Sequence, residues 1–431
     1  MAMARLVHVF VIHWYRVLSV AAVKFNTLLP SALSTGIKTL SNFGLFFLIG
    51  HYYESSVFSS YIFLSILAAF SACVVDLGYA TKIVVDFTNK RKNAALLESF
   101  SARFVALFLS LLVILIVVLY TNLEWLFLFL FLNTVFTHWL ESFSFSLRFE
   151  RRYWSELLFT IFIHFVPFLT LFYFVGERAE LKTLFLFYGA YKLLVFIPLY
   201  VRLRPTRVSA IQVLNEVRSC FKFLLDSVAL NIQPLIQVYL AKIFLDAPAF
   251  IVFGYGQKII QAFNTLFSAL NNVFYPSLAR LWGSVVDVRV LLKKFAIVAN
   301  VIPLVCILIV FSGTYLKIQN LFPNIDRLYF EVFDILQLCL LLVFVRFNCA
   351  ILGAVLTIAG LQKRRTQVNL IVLLTDAGLI SAFLYVLPTT ESIFYAMASS
   401  NFMVFISYIW VARREKNIPS LIFTWKKAKV Q

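Results

Sequence analysis

The stretch FGYGQKIIQAFNTLFSALNNVFYPSLARL, Phe253 to Leu281, decides the fold. It holds no acidic residue and is apolar enough for a membrane, yet it carries Gln257, Lys258, Gln261, Asn264, Thr265, Ser268, Asn271 and Asn272. On a helix, at about 100° per residue, Lys258, Gln261, Thr265, Ser268 and Asn272 follow a 3,4,3,4 spacing and share a narrow arc. Gln257, Asn264 and Asn271 widen that arc, and Ile259, Phe263, Leu266, Leu270, Val273 and Phe274 take the other side. One face therefore reads as lipid-like and the other as wet. Hydrogen bonding between membrane helices accounts for about two or three such residues, not for eight that include a lysine, so a water-filled cavity is expected along this helix.

Composition agrees with a membrane setting. Of 431 residues, 62% are hydrophobic, 17% aromatic and only 13% charged, with mean hydropathy +0.90. That is far too apolar for a soluble domain and reads as an all-α polytopic membrane protein. The apolar runs are continuous over about 20 residues, whereas a β-barrel would show short alternating segments. Cys73, Cys220, Cys306, Cys339 and Cys349 lie in or beside apolar runs without metal-ligand or redox spacing, and read as packing residues.

About twelve spans are predicted, near 30–50, 57–80, 99–120, 123–146, 156–175, 183–201, 222–241, 249–272, 295–313, 331–358, 367–387 and 391–411. The N-terminal run HVFVIHWYRVLSVAAVKF is interrupted by His13, Arg16 and Lys24 and reads as an interfacial segment over residues 1–27. Basic residues gather on alternate connections, among them Arg148, Arg151 and Arg152, Arg202 to Arg218, Lys363 to Arg365, and the tail over 413–431. The opposite connections hold only Arg178, Lys182, Lys242, Lys317 and Arg327. By the positive-inside rule both termini are expected in the cytoplasm, and the net charge of +18 is a topology signal, not a nucleic-acid footprint. The basic connection over 204–219 divides the chain into two six-helix bundles, 28–203 and 220–412.

Charge inside the spans needs its own explanation. Lys38, Lys192, Lys258 and Arg346 fall deep in predicted spans, where an unpartnered charge costs about 3 kcal/mol. The first span repeats the polar stripe with Ser31, Ser34, Lys38 and Ser41, the fourth aligns Asn133, Thr137, Glu141 and Ser144, and the seventh aligns Asp226, Gln233 and Gln237. Several helices thus present polar faces to one interior, as expected of a transporter whose path runs between bundles. The candidate cavity residues are Lys38, Lys192, Lys258, Arg346, Gln261, Thr265, Ser268, Asn272, Gln233 and Gln237. Asp226, Glu141 and Asp376 are candidates for proton or sodium coupling, with pairing to a lysine as the alternative. Gly254 and Gly256 read as a place for the eighth span to bend, and Pro276 as a bend or a terminator.

Three segments resemble a known family. VVDLGYATKIVVDF, Val74 to Phe87, resembles the Asp-aromatic/aliphatic-Gly turn of bacterial polysaccharide flippases, with Leu77 where the family commonly has Phe. YGQKIIQAFNTLFSALNNVFYPSLARL resembles their eighth span, and LTIAGLQKRRTQVNLIVLLTDAGL their tenth-to-eleventh junction. The chain is thus similar to O-antigen flippases of the Wzx type, within the multidrug/oligosaccharidyl-lipid/polysaccharide exporter superfamily. The resemblance implies two six-helix bundles in a V around a central cavity, working as a monomer without a cofactor in the bacterial inner membrane. It implies movement of an undecaprenyl-pyrophosphate-linked glycan to the periplasmic leaflet, with membrane lipid, a polysaccharide polymerase and a chain-length regulator as partners. A drug or cation exporter of the same superfamily is the alternative.

Enzyme readings find no support in the sequence: there is no Walker-type loop, no HExxH and no nucleophile motif. A polysaccharide polymerase or ligase would carry a large external loop, and the stretch from Gly313 to Arg327 is the longest available.

Overall fold

A computed structural model describes residues 25–79, 82, 92–121, 124–203, 209–281, 285–315 and 327–414. The expected interfacial segment lies almost wholly outside these residues, as does most of the basic tail. Twelve long helices and no strand are found among the described residues. They are α1 (Phe25–Tyr52), α2 (Ser55–Asp76), α3 (Lys92–Thr121), α4 (Trp125–Phe149), α5 (Tyr153–Gly176), α6 (Leu181–Arg202), α7 (Ala210–Phe244), α8 (Ala247–Leu281), α9 (Val285–Tyr315), α10 (Arg327–Ile358), α11 (Gln362–Val386) and α12 (Thr390–Arg414). Ten of them are long and apolar enough to cross a membrane, all except α7 and α8. Those two have 35 residues each, about 52 Å at helical rise, and so outreach a hydrocarbon core of about 30 Å. Helix α7 begins at Ala210, inside the stretch expected to be linker, because Ser209 and Gln212 form a reciprocal capping box.

The packing repeats with a step of six helices. In the first half α2 packs on α4, α4 on α6, and α1 on α5; in the second half α8 packs on α10, α10 on α12, and α7 on α11. The crossed contacts repeat likewise, with α1 on α8 matched by α7 on α2. Two six-helix lobes related in this way form the bundle; one large apolar cluster fills its core, with a small separate one of Leu77, Tyr79, Ala102 and Cys220 where α2 ends. Two ends can be told apart by charge: Arg148, Arg151, Arg152, Arg202 and Lys363 to Arg365 mark a basic end, and Glu54, Glu124, Glu177, Glu180 and Asp246 an acidic end.

Tight inter-lobe contacts are found at both ends. At the acidic end Tyr255 of α8 inserts among Phe46, Phe47 and Phe58, with ring centroids 4.9 to 5.4 Å apart. At the basic end α2 stops in a left-handed turn at Leu77 and Gly78, φ 54° and 73°, which brings the Gly78 backbone against Phe223 of α7. This turn is the Asp-Leu-Gly motif read in the sequence. Helix α5 carries a π turn over Ile161–Phe165. Pro167 explains it, since its ring cannot face the carbonyl four residues earlier and the helix widens there.

Two expectations about α8 are corrected. The helix runs unbroken through Gly254 and Gly256, which are instead points of close approach: a Cβ on Gly254 would stand 2.6 Å from Ile62, and on Gly256 2.4 Å from Phe394. The face expected to meet lipid is packed inside the second lobe. Ile259, Phe263, Leu270 and Phe274 are half-buried against the core, and Phe274 stacks on Phe295 at 4.6 Å.

Candidate functional site

The first lobe gathers a polar cluster around Glu141 of α4. Lys38 of α1 pairs with its carboxylate, and Ser34 and Thr160 share a hydrogen bond of 2.7 Å one turn away. Lys192 of α6 is 2% exposed; its ammonium donates to Thr137 Oγ1 and lies 4.0 Å from the centre of the Tyr188 ring. His164, placed by the π turn, is buried with Nδ1 lacking a partner. Arg148 grips the buried Glu156 through Nε and Nη2, one edge of its guanidinium.

Two cavities flank Glu141. One of about 140 Å³ is lined by Ser34, Thr35, Lys38, Arg148 and His164, with Thr265 of α8 reaching it from the second lobe. The other, of about 190 Å³, lies toward Asp76, Arg103, His138, Ser227 and Asn231. Its floor is a sealed ion pair, Arg103 to Asp76 at 2.8 Å, with Arg103 also donating to Ser142 at 2.7 Å and stacking on Tyr79 at 4.6 Å. Beyond it Tyr79 donates to Glu216 of α7, and Lys82 pairs with the same carboxylate at 2.5 Å.

The second lobe has its own cluster around Asp376 of α11. Its carboxylate accepts from Gln233 at 3.0 Å, from Gln237 at 2.7 Å and from the Ser400 hydroxyl. Gln257 of α8 extends the network by donating to Gln237 at 3.0 Å. Arg346 of α10 donates to Asn401 of α12 at 3.3 Å and lies within electrostatic reach of Asp376. The pairing of α10 with α12 repeats that of α4 with α6 through Thr137 and Lys192.

The four deep cations are therefore distributed, not gathered on one wall. Lys38 and Lys192 belong to the first-lobe cluster, Arg346 to the second, and Lys258 of α8 sits half-buried between them over Phe46 at 5.2 Å. Lys38 has a carboxylate partner, which the sequence did not assign. No carboxylate lies within ion-pair distance of Lys192, Lys258 or Arg346 among the described residues. Gln261 and Thr265 are half-buried, and Gln257 points into the second lobe instead of widening the wet face. The side chains of Ser268, Asn272 and Asp226 lie outside the described residues.

Sequence reading passed over several members of these clusters. Glu156, Thr160 and His164 stand at 4,4 spacing within an apolar run, a stripe that could have been read. Asp76 with Arg103, Tyr79 with Glu216, and Ser400 with Asp376 are joined only by tertiary packing.

No family model matches the sequence. No curated protein matches it either. Solved structures do match over most of both chains. The eukaryotic MATE transporter AtDTX14 superposes with TM-score 0.65 at 14% identity, covering 92% of this chain and 97% of that one. A multidrug resistance MATE transporter of the MOP superfamily matches in its outward-facing conformation, TM-score 0.61 at 13% identity, covering 91% and 94%. A MOP superfamily transporter from Pyrococcus furiosus, described as having a binding pocket of reverse polarity, matches with TM-score 0.56 at 14% identity over 92% and 95%. The chain has the two-lobe fold of MATE transporters of the MOP superfamily.

Proposed function

We propose that this protein is an alternating-access transporter for an anionic, lipid-linked glycan of the undecaprenyl-pyrophosphate class, carried from the cytoplasmic to the periplasmic leaflet. The observation that carries the anionic cargo is Lys258: it is half-buried at the junction of the lobes, and no carboxylate pairs with it among the described residues. A lysine at membrane depth costs about 3 kcal/mol on insertion scales unless it meets water or a counter-charge. Phosphate on a cargo supplies that counter-charge. Lys192 adds to the excess, since Lys38 already occupies Glu141.

The polar interior answers the cargo's chemistry. Sugar hydroxyls and a pyrophosphate cannot enter hydrocarbon without losing hydrogen bonds and hydration. Gln233, Gln261, Thr265 and the neighbouring hydroxyls replace those bonds, while the lipid tail stays in the bilayer; Gln237, expected on the cavity wall, is instead fully buried and committed to Asp376 and Gln257. The basic end faces the cytoplasm by the positive-inside rule, which puts the Tyr255 aromatic contact on the periplasmic side. Glu141 and Asp376 are the carboxylates through which an ion could couple to the cycle.

The second reading, export of a drug cation, is favoured by the solved structures, one of them named for multidrug resistance. The reverse-polarity description of the Pyrococcus furiosus protein speaks for the same fold serving a different pocket charge. Deleting the gene from its host decides between the two. Accumulation of lipid-linked glycan on the cytoplasmic leaflet supports the first reading. Normal surface glycan with altered resistance to toxic cations supports the second.

A further inference from the structure

We infer that Glu141 is an internal stand-in for the phosphate of the cargo, holding Lys38 until an incoming diphosphate displaces it. The inference rests on the anionic-cargo reading and adds to it a site and an exchange.

The ion pairs of the first lobe differ in how they are sealed. Asp76 with Arg103 and Lys82 with Glu216 are all less than a tenth exposed, and Glu156 beneath Arg148 is fully buried. Lys38 and Glu141 are 33% and 29% exposed, and both line the cavity of about 140 Å³. A pair wet on one side gives up little when one partner is exchanged for another anion, whereas a sealed pair leaves a stranded charge. The same cavity has room for several waters or one phosphate-sized group.

The remaining walls are suited to such a guest. His164 is 3% exposed, lines the cavity and has Nδ1 without a partner, so an anion entering beside Lys38 finds a ring nitrogen available to donate. Lys192 stands within electrostatic reach of Glu141 and has no carboxylate at ion-pair distance among the described residues. Lys192 does not line the cavity, and its charge adds at longer range to the pull that Lys38 exerts on a diphosphate there. Thr265 of α8 closes the cavity from the second lobe, so occupation is felt by both lobes. Released from Lys38, Glu141 faces the second cavity, toward His138 and Arg103, where it finds new donors.

The test uses the full-length protein in lipid nanodiscs with inorganic pyrophosphate as probe, followed by titration calorimetry. If pairing with Glu141 leaves Lys38 free about a tenth of the time, Glu141→Gln tightens pyrophosphate binding about tenfold over wild type. Lys38→Gln abolishes it in either background. Glu141→Asp, which keeps the charge but shortens its reach, gives an intermediate gain and serves if the glutamine variant does not fold. Equal or weaker binding by both Glu141 variants at unchanged melting temperature overturns the inference, as does absence of binding in wild type and variants alike. Lys258→Glu, outside this cavity, reports on the cargo reading separately. Tighter binding by Glu141→Gln with undiminished transport by Lys258→Glu removes the anionic cargo and keeps the site; the opposite pair of results removes the stand-in and keeps the cargo.

Discussion

Gly78, in the turn that ends α2, and Phe223 of α7 meet backbone to backbone: a Cβ on Gly78 would lie 2.5 Å from the Phe223 carbonyl carbon. The contact joins the lobes at the basic end, next to the buried Tyr79, Glu216 and Lys82. Gly78 also has φ of 73°, where a side chain is strained. Gly78→Ala is expected to cost at least about 1–2 kcal/mol from backbone conformation alone. The clash with a main chain that cannot rotate away adds to this. The measurement is the melting temperature of the purified protein beside its transport activity, and both should fall.

Gly254 and Gly256 lie where α2, α10 and α12 crowd α8. Their joint replacement by alanine is expected to lower membrane abundance and thermal stability, since overpacking a filled core costs about 1–3 kcal/mol. Slowed transport at normal abundance would instead restore the reading of these glycines as a hinge.

The Asp76 and Arg103 pair is sealed from water, so removing one partner should cost more than removing both. Arg103→Met is expected to destabilise by about 3–5 kcal/mol, and the double variant D76L/R103M by clearly less. Thermal denaturation of the two single variants and the double variant sets the order. Equal losses in all three would mean that Tyr79 and Ser142 contacts, not the charge pair, hold this corner.

Ten of the twelve helices were legible because each is a continuous apolar run, and hydrocarbon permits no other backbone solution; α7 and α8 showed themselves by helically spaced polar stripes in less apolar runs. Their ends were less so. Helix α7, at 210–244, starts before its expected span because its first turns are polar and hydropathy cannot see them, and α8, at 247–281, runs on through Pro276, which therefore does not terminate it. Lys38, Lys192, Lys258 and Arg346 stood out by depth alone. Their surroundings did not, since Glu141 lies 103 residues from Lys38, and no helical wheel on one span shows which neighbour another span will bring. The C-terminal cluster shows the same limit: Gln233 and Gln237 share a stripe on α7, but Asp376 reaches them only through the packing of α7 on α11.

Orientation follows from cysteine labelling with an impermeant reagent, in a background cleared of reactive thiols. Cysteines at Ser55 and Pro388, both exposed at the acidic end, should react from outside intact cells. Cysteines at Arg152 and Lys363, exposed at the basic end, should react only after permeabilisation. Reversal at either pair contradicts a cytoplasmic basic end.

The most direct measurement is transport by the purified protein in liposomes, offered a fluorescent undecaprenyl-pyrophosphate glycan in one arm and a lipophilic dye cation in the other, for wild type and Lys258→Glu. The expected result is leaflet exchange of the glycan by wild type, loss of that exchange in Lys258→Glu at unchanged reconstitution and melting temperature, and no uptake of the cation. Cation uptake by wild type without glycan exchange, or full glycan exchange by Lys258→Glu, would contradict a cationic path for an anionic cargo.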